Sequence, residues 1–257
     1  GDHRDLHLSI RRQRQMCIRD STVTVEADPY ADSTLEGKIS SDKALSADKV
    51  WLLKGRVIVE SGATLTIPAG TVIKAEPGSG ADASTLIIAR GGKIDAKGTA
   101  AKPIIMTSKS DNIKADGTYP ASGKSLTVDA RGLWGGLLVL GKAPSSFKGD
   151  VTELQIEGIP VTETAGLYGG SDAADDSGVM QYISIRHGGA EIGEGNEING
   201  LTLGGVGNKT VIDHIEVVAN VDDGIEFFGG TVDASYLMVY GLSLIHISEP
   251  TRLLSIG

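Results

Sequence analysis

Short apolar runs, most of them closed by Gly, Asn, Asp or Pro, recur along most of this chain, and their spacing limits the possible folds. Ile215 in "HIEV" lies 22 residues before Leu237 in "YLMV", and Leu201 in "GLTLGG" lies 24 residues before Ile225 in "GIEFFGG". A period of this length with two or three short strands predicts a β-solenoid, whose coils bury their apolar faces against one another. Equivalent strands of successive coils then pair in parallel.

The composition agrees with this interpretation. The 257 residues include 35 Gly and only 4% aromatic residues, and no segment sustains a helical period. Gly weakens helix interiors but supplies positive φ at corners without steric cost. Asn199 and Asn220 are expected to share that corner geometry and to form ladders of side-chain amides. A β-sandwich would not need a repeat of this length, so we predict an all-β, right-handed parallel β-helix.

Alternation along each strand should point Ile, Val and Leu inward and Thr, Lys, Glu and Arg outward. Two longer segments, residues 109–131 and 162–178, interrupt the coils. Insertions of this kind lie on one face of a solenoid and often carry binding sites.

The two ends of the chain differ from its middle. The first twenty residues contain five Arg, two His and the single Cys, Cys17. The segments "RQMCIRDS" and "SLIHISEPTRLL" resemble translated sequencing-adapter read-through. We therefore expect non-native flanks at residues 1–21 and 243–257 around a β-helix domain of residues 22–242, a truncated fragment of a longer protein. The alternative is a natural basic leader and a natural terminal strand.

The charge balance excludes some classes of partner. The formal net charge is −9, and such a surface repels phosphate backbones, so nucleic acid is not an expected partner. One Cys cannot form an internal disulfide. No apolar run reaches the roughly 18 residues of a membrane-spanning helix.

Several long motifs are similar to a known family. They include "LTIPAGTVIKA", "RGLWGGLLVLGKAP" and "VVANVDDGIEFFGGTV". They resemble the secreted parallel β-helix proteins of Bacteroidetes-type bacteria, which have a pectin-lyase-like fold, over roughly residues 35–240. The resemblance implies secretion, as a lipoprotein or through a C-terminal sorting domain, and an extracellular or outer-membrane-surface location. It leaves the biochemical role open.

One group of residues is a candidate for catalysis. Asp222, Asp223 and Glu226 lie close together in sequence, and His187 belongs to a neighbouring coil. Glycoside hydrolysis needs two carboxylates at a defined separation, one protonated and one charged. Pectin-degrading β-helix hydrolases resemble this pattern, but their Asp pair and His-Gly motif occur in the opposite order. The alternative is a coil corner whose Asp side chains bond local amides.

A second group of residues is a candidate for metal binding. Two Gly-rich acidic segments concentrate oxygen-bearing side chains, which suit Ca²⁺, although their spacing is not that of an EF-hand. The candidate ligands are Asp172, Asp175, Asp176, Glu191, Glu194, Asn196 and Glu197. Two solvated acidic loops would give the same pattern. Zinc is disfavoured because residues 22–242 contain two His and no Cys.

These features favour a noncatalytic extracellular or cell-surface module that binds glycans or a protein partner. Trp134 and one of Phe227 and Phe228 could stack on sugars if they are exposed. The alternative function is a polysaccharide-degrading enzyme, either a glycoside hydrolase or a lyase. An enzyme would need a groove in which the candidate acids converge, whereas a scaffold would disperse them.

Overall fold

A computed structural model of the chain describes residues 28–147, 151–193, 196–241 and 245–248. The chain divides into two compact units, residues 1–31 and 32–257. Of the first unit, residues 28–31 are described, and they form a turn in which the Ala31 amide donates to the Asp28 carbonyl. The predicted start of the β-helix at residue 22 lies outside the described residues.

The described part of the second unit consists of strands joined by turns and by two single-turn 3₁₀ helices, Gly80–Asp82 and Thr164–Gly166. Neither helix is long or apolar enough to cross a membrane. The strands are β1 Thr34–Ile39, β2 Lys43–Ala44, β3 Val50–Val59, β4 Thr64–Pro68, β5 Val72–Ala75, β6 Thr85–Ile88, β7 Lys93–Lys97, β8 Ile104–Ser108, β9 Leu137–Leu140, β10 Leu154–Gln155, β11 Leu167–Tyr168, β12 Gly178–Arg186, β13 Glu191–Gly193, β14 Asn196–Glu197, β15 Leu201–Gly204, β16 Val211–Val218, β17 Ile225–Phe228, β18 Ala234–Tyr240 and β19 Ile245–Ser248.

Parallel pairing between successive coils arranges these strands into three faces. Face 1 contains β5, β8 and the second halves of β12, β16 and β18. Face 2 contains β6, β9, β15, β17 and β19. Face 3 contains β2, β4, β7 and the first halves of β12, β16 and β18. The predicted right-handed parallel β-helix is therefore confirmed.

The register between coils follows the sequence period. Ile215 pairs with Leu237 across β16 and β18, and Leu201 pairs with Ile225 across β15 and β17. These are the two pairs whose spacing defined the repeat. Because the side-chain period along a strand is two residues, one such pairing fixes which side chains of both strands point inward.

The interior contains the predicted apolar rows. On β4, buried Leu65 and Ile67 alternate with half-buried Thr64 and Thr66. Inward side chains of all three faces form one continuous core. The alternation expected for a solenoid is thus present on face 3.

Face 2 departs from that expectation because its outward side chains are also apolar. Ile87, Leu138 and Phe228 point away from the core but are buried. They pack against Ile156 and Tyr168 of the long segment between β9 and β12. Apolar residues therefore face outward wherever an insertion covers them, and alternation alone does not identify the interior.

We call the segment between β9 and β12 the covering segment. It begins directly after β9 and is therefore longer than the insertion that the sequence predicts at residues 162–178. The apolar run "LQIEGI" resembles the coil strands in composition, but it contributes β10, which pairs antiparallel with β11 outside the coils. A short apolar run does not reveal which apolar surface it packs against.

Corner geometry differs from the prediction for the two Asn residues. Positive φ occurs at His187 (62°), Ala219 (57°) and Gly241 (72°), which begin successive corners between faces 1 and 2. Asn199 and Asn220 do not have positive φ. Both are buried, and each amide nitrogen donates to a group other than a second Asn amide. The Asn199 amide donates to the Glu226 carboxylate and the Asn220 amide to the Asp223 carbonyl, so the two side chains do not form a ladder.

The corner between faces 3 and 1 carries a stack of rings. Tyr182, His214 and Tyr236 occupy equivalent positions with φ of 50°, 53° and 53°. Their ring centroids are 4.2 and 4.4 Å apart. Strand spacing of about 4.8 Å between coils allows such stacking. His214 therefore has a structural explanation that requires no catalytic role.

Candidate functional site

Polar side chains gather on the outer side of face 2 at the β17 end of the solenoid. Register places Thr202, Glu226 and His246 in one outward row along β15, β17 and β19. Asp223 lies in the corner before β17, Asn199 precedes β15, and Glu157 comes from the covering segment. We call Glu157, Asn199, Asp223, Glu226 and His246 the acid cluster.

Direct contacts join these side chains. His246 Nδ1 lies 3.3 Å from Asp223 Oδ2 and 3.4 Å from Glu226 Oε1. Asn199 Nδ2 donates to Glu226 Oε2 at 2.8 Å and to Glu157 Oε1 at 3.3 Å. Asp223 and Glu226 are buried, whereas His246 is exposed. The cluster is therefore closed on its protein side and open to solvent at His246.

Burial and like charge perturb two of the carboxyls. Glu157 is exposed as a residue, but the desolvation of its carboxyl and the nearby Glu226 charge raise its pKa from 4.5 to about 7. Desolvation, followed by the charge of Asp222, also raises the pKa of Asp223. One carboxyl that is half protonated near neutrality thus lies beside a buried carboxylate.

We expect Glu157→Gln to increase the free energy of unfolding above pH 7 but not near pH 5. A folded-state pKa above the unfolded value of 4.5 means that the folded chain holds this proton more tightly. The contribution of the Glu157 carboxyl to the free energy of unfolding is complete below about pH 4.5 and is lost as the pH rises through about 7. Urea unfolding of both proteins at about pH 5 and about pH 8, with chelator present, measures the difference.

The matched control for this prediction is Glu36→Gln, which removes an exposed carboxylate paired with Lys54. It should show no comparable gain above pH 7. An equal response of the two variants would contradict the assigned environment of Glu157.

The structure separates the predicted catalytic residues. Asp223 and Glu226 come together, with Asp222 half-buried beside them, but their imidazole neighbour is His246. His187 is buried at a corner, and its Nδ1 lies 2.6 Å from the Ala130 carbonyl oxygen. The segment "VDDGIEFFGG" is a corner followed by β17, which is the local geometry of the alternative to a catalytic group.

Sequence reasoning missed Glu157, Asn199 and His246 as members of this site. His246 belongs to the segment that was set aside as a flank, although β19 pairs in parallel with β17. The outward row through Thr202 and Glu226 was a usable signal, because continuing its register by one coil reaches His246. The approach of Glu157 depends on the path of the covering segment and had no comparable signal.

The predicted calcium ligands of the first loop have protein partners. Asp176 forms an ion pair with Lys93 at 2.5 Å, and Asp175 is buried and accepts from the Ser177 hydroxyl. The exposed Asp172 accepts from the Ala174 amide. These contacts are those of a folded loop that uses its own carboxylates as caps.

The second loop forms a short hairpin of β13 and β14, in which Glu191 lies opposite Glu197. Asn196 contributes its backbone to β14, and Glu194 lies outside the described residues. Among the described residues, the acids of the two loops do not assemble three ligand atoms within metal-binding distance, whereas Asp223, Glu226 and His246 do.

The aromatic residues proposed as sugar platforms are not exposed. Trp134 is 1% exposed, and its Nε1 donates to the Arg186 carbonyl. Phe227 packs in the interior, and Phe228 packs under Tyr168. The exposure that sugar stacking requires is therefore not met, since Trp134 and Phe227 belong to the interior core and the covering segment packs over Phe228.

A groove lies between face 2 and the covering segment, away from the acid cluster. Its volume is about 800 Å³. The lining, which we call the insertion groove, is Lys38, Ile58, Glu60, Ser61, Ala89, Arg90, Lys142, Glu153, Glu163, Thr164, Ala165, Leu167, Gly169, Gly170, Ser171 and Asp172. Among the lining residues that the structure describes, Asp172 is the one residue from the earlier candidate sets.

Two contacts fix the wall of the groove. Arg90 forms an ion pair with Glu153 at 2.6 Å and also donates to the Gly169 carbonyl at 3.1 Å. Lys38 and Glu60, which also line the groove, form a more exposed pair at 3.2 Å. Because Arg90 lies on the solenoid and Glu153 on the covering segment, the Arg90–Glu153 pair joins the two parts of the chain that form the groove.

Comparison with known protein families identifies a match. A family model described as a pectate-lyase-like beta helix domain matches residues 37–243. The matched span includes the insertion groove and every member of the acid cluster except His246. No curated protein and no solved structure matches the chain.

Proposed function

Because the chain belongs to the pectate-lyase-like beta helix domain family, we propose that it is a noncatalytic extracellular or cell-surface module that binds glycans in the insertion groove. The observation that carries this proposal is the separation of the two sites. None of Glu157, Asp222, Asp223 and Glu226 is among the described residues that line the groove. A catalytic groove would need free acids at the bound substrate. In the described part of the chain, the four carboxylates that line the groove are engaged with Lys38 (Glu60), Arg90 (Glu153), the Ala165 amide (Glu163) and the Ala174 amide (Asp172).

The groove has the chemistry of a hydroxyl-rich ligand site. Its rim combines cationic donors, carboxylate acceptors and backbone amides, which together can pair with the donors and acceptors of a sugar. Its volume falls within the range of about 300–1,000 Å³ typical of ligand sites. The wall is preorganised by the Arg90–Glu153 pair, which lowers the ordering cost of binding.

Lys142 is the best placed cation for contacting a ligand. It follows β9, it is exposed, and its ammonium group lies near Gly91 and near Ser61, which also lines the groove. Arg90 is already engaged with Glu153, and Lys38 with Glu60. Lys142 can therefore donate to a glycan without first breaking one of these ion pairs.

We expect Lys142→Ala to weaken glycan binding by roughly 10- to 150-fold, because a hydrogen bond to a charged donor contributes on the order of 1.5–3 kcal/mol. Screening a glycan panel identifies the ligand, and isothermal titration calorimetry then compares the variant with the parent. Lys114→Ala is the control, since Lys114 is exposed on the 109–131 loop. Undiminished binding by Lys142→Ala, or equal loss in the control, would place the glycan elsewhere.

A polysaccharide-degrading enzyme is the second candidate function, and the raised pKa of Glu157 beside Glu226 favours it. The separation of Glu157 and Glu226 argues against it, because these two carboxyls are in hydrogen-bond contact. Inverting and retaining hydrolases need about 6.5–9.5 Å and 5–5.5 Å respectively. Reducing sugar or unsaturated uronate released from the same glycan panel would establish the enzyme instead.

Calcium binding by the two acidic loops stays a prediction. If it occurs, calcium should raise the unfolding temperature of Glu226→Gln as much as that of the parent, because Glu226 belongs to neither loop. Coinciding curves of Glu226→Gln with calcium, with magnesium and with chelator would show that the loops are solvated acidic surfaces.

A further inference from the structure

We propose that Asp223, Glu226 and His246 form a binding site for a divalent transition-metal cation of the zinc type, on the outer side of face 2. This site is distinct from the insertion groove and goes beyond the glycan-binding function. It takes β19 as a natural terminal strand, the alternative to a non-native flank at residues 243–257. Each residue supplies one ligand atom, and the three atoms lie within 4.8 Å of one another.

The distances between these atoms suit a small cation. Zinc lies about 2.0–2.2 Å from nitrogen and carboxylate oxygen ligands, so two ligands of a tetrahedral site are about 3.4 Å apart. His246 Nδ1 is 3.3 Å from Asp223 Oδ2 and 3.4 Å from Glu226 Oε1. Two edges of the tetrahedron are therefore already formed, and the exposed side at His246 leaves a position for water.

Asn199 gives an independent indication of a ligand. It is 1% exposed, and its Oδ1 is a buried oxygen with no hydrogen-bond partner among the described residues. The amide nitrogen Nδ2 faces the cluster and donates to Glu226 Oε2 at 2.8 Å. Rotating the amide by half a turn would place Oδ1 there instead, a contact between two oxygens that is favourable only when a cation lies between them.

Charge also favours a cation at this position. Asp223 and Glu226 are buried acids, and Glu157 contacts Glu226 from the covering segment. Buried carboxylates are stable when they are paired or when they coordinate a metal. Asn199 supplies hydrogen-bond donors here, but His246 is the member of the acid cluster that can carry a positive charge.

The donor set selects the class of metal. Calcium and magnesium take oxygen ligands almost entirely, whereas zinc accepts imidazole together with carboxylate oxygen. Glu157 would then act as an outer acceptor that orients the site, since groups that contact metal ligands set their geometry.

Thermal unfolding of the full chain with Zn²⁺, with Ca²⁺ and with chelator tests the proposal. Zinc should raise the unfolding temperature of the parent, and Glu226→Gln and His246→Ala should each lower zinc affinity by more than the roughly 10–100-fold that outer-shell losses cost. Glu216→Gln is the matched control, because Glu216 points outward from β16 and pairs with Arg186 instead. It should keep the parent affinity.

A second measurement keeps the test decisive if β19 detaches in His246→Ala. Co²⁺ bound by the parent should show the visible absorption of a low-coordinate site with nitrogen ligation, and Zn²⁺ should displace it. No zinc effect on the parent, or an effect that both Glu226→Gln and His246→Ala retain, would overturn the assignment. A calcium effect as large as that of zinc and abolished by Glu226→Gln would also overturn it, because an all-oxygen site would then be present.

Discussion

Gly178→Ala is expected to destabilise the β-helix by about 4 kcal/mol or more, which is exceptional for a single methyl group. Gly178 opens β12 with φ of +107°, where it pairs with Ile94 of β7. A Cβ atom at this position would lie 2.0 Å from the Ile94 carbonyl oxygen and 2.9 Å from its carbonyl carbon. Both are backbone atoms of a buried coil, so the strand must separate from its neighbour.

Gly62→Ala is the matched control for that prediction. Gly62 also has positive φ, at +88°, but a Cβ there would meet nothing within 4 Å. Its substitution therefore costs only backbone strain, about 1–2 kcal/mol. Urea unfolding midpoints measure both variants, and equal losses would show that contact with Ile94 is not the cause.

Tyr168→Ala is expected to lower the free energy of unfolding by about 3–5 kcal/mol, the range for removing a buried aromatic ring. Tyr168 is 3% exposed and lies between Phe147 and Phe228, with ring centroids 5.5 and 5.9 Å away. It joins the covering segment to the outward side of β17. Its neighbours Leu167 and Gly169 line the insertion groove, so the variant should also lose glycan binding.

Tyr240→Ala separates this effect from the general loss of a tyrosine. Tyr240 is 60% exposed on β18, and its removal should change stability by no more than about 0.5 kcal/mol. Chemical denaturation and glycan titration of both variants test the two consequences together. A Tyr168→Ala protein that is destabilised but still binds glycan would show that the groove does not depend on this packing.

The sequence by itself determined the coil architecture. The spacings from Leu201 to Ile225 and from Ile215 to Leu237 became the observed registers, because parallel coils repeat the same residue one period later. The corner before β17 was predictable for the same reason, since Asp and Gly terminate an apolar run. These features depend on local pattern and on contacts between adjacent coils.

Only the tertiary structure decided which outward surfaces are covered. Ile87, Leu138 and Phe228 look like interior residues in the sequence, yet they pack against a segment that leaves the coil after β9. The position of that segment follows from complementary surfaces and not from a period. For this reason the burial of Phe228 could not be anticipated, and the insertion groove was not visible in the sequence.

In the candidate sites, too, sequence pattern identifies some residues and only tertiary packing brings in the others. Asp223 and Glu226 were identifiable because they are close in sequence, around the beginning of β17. Glu157 joins them from the covering segment, Asn199 from the preceding coil and His246 from the following strand. Their meeting depends on inter-coil register and on a segment packed across it, and a side chain brought in by such packing leaves no periodic signal in the chain.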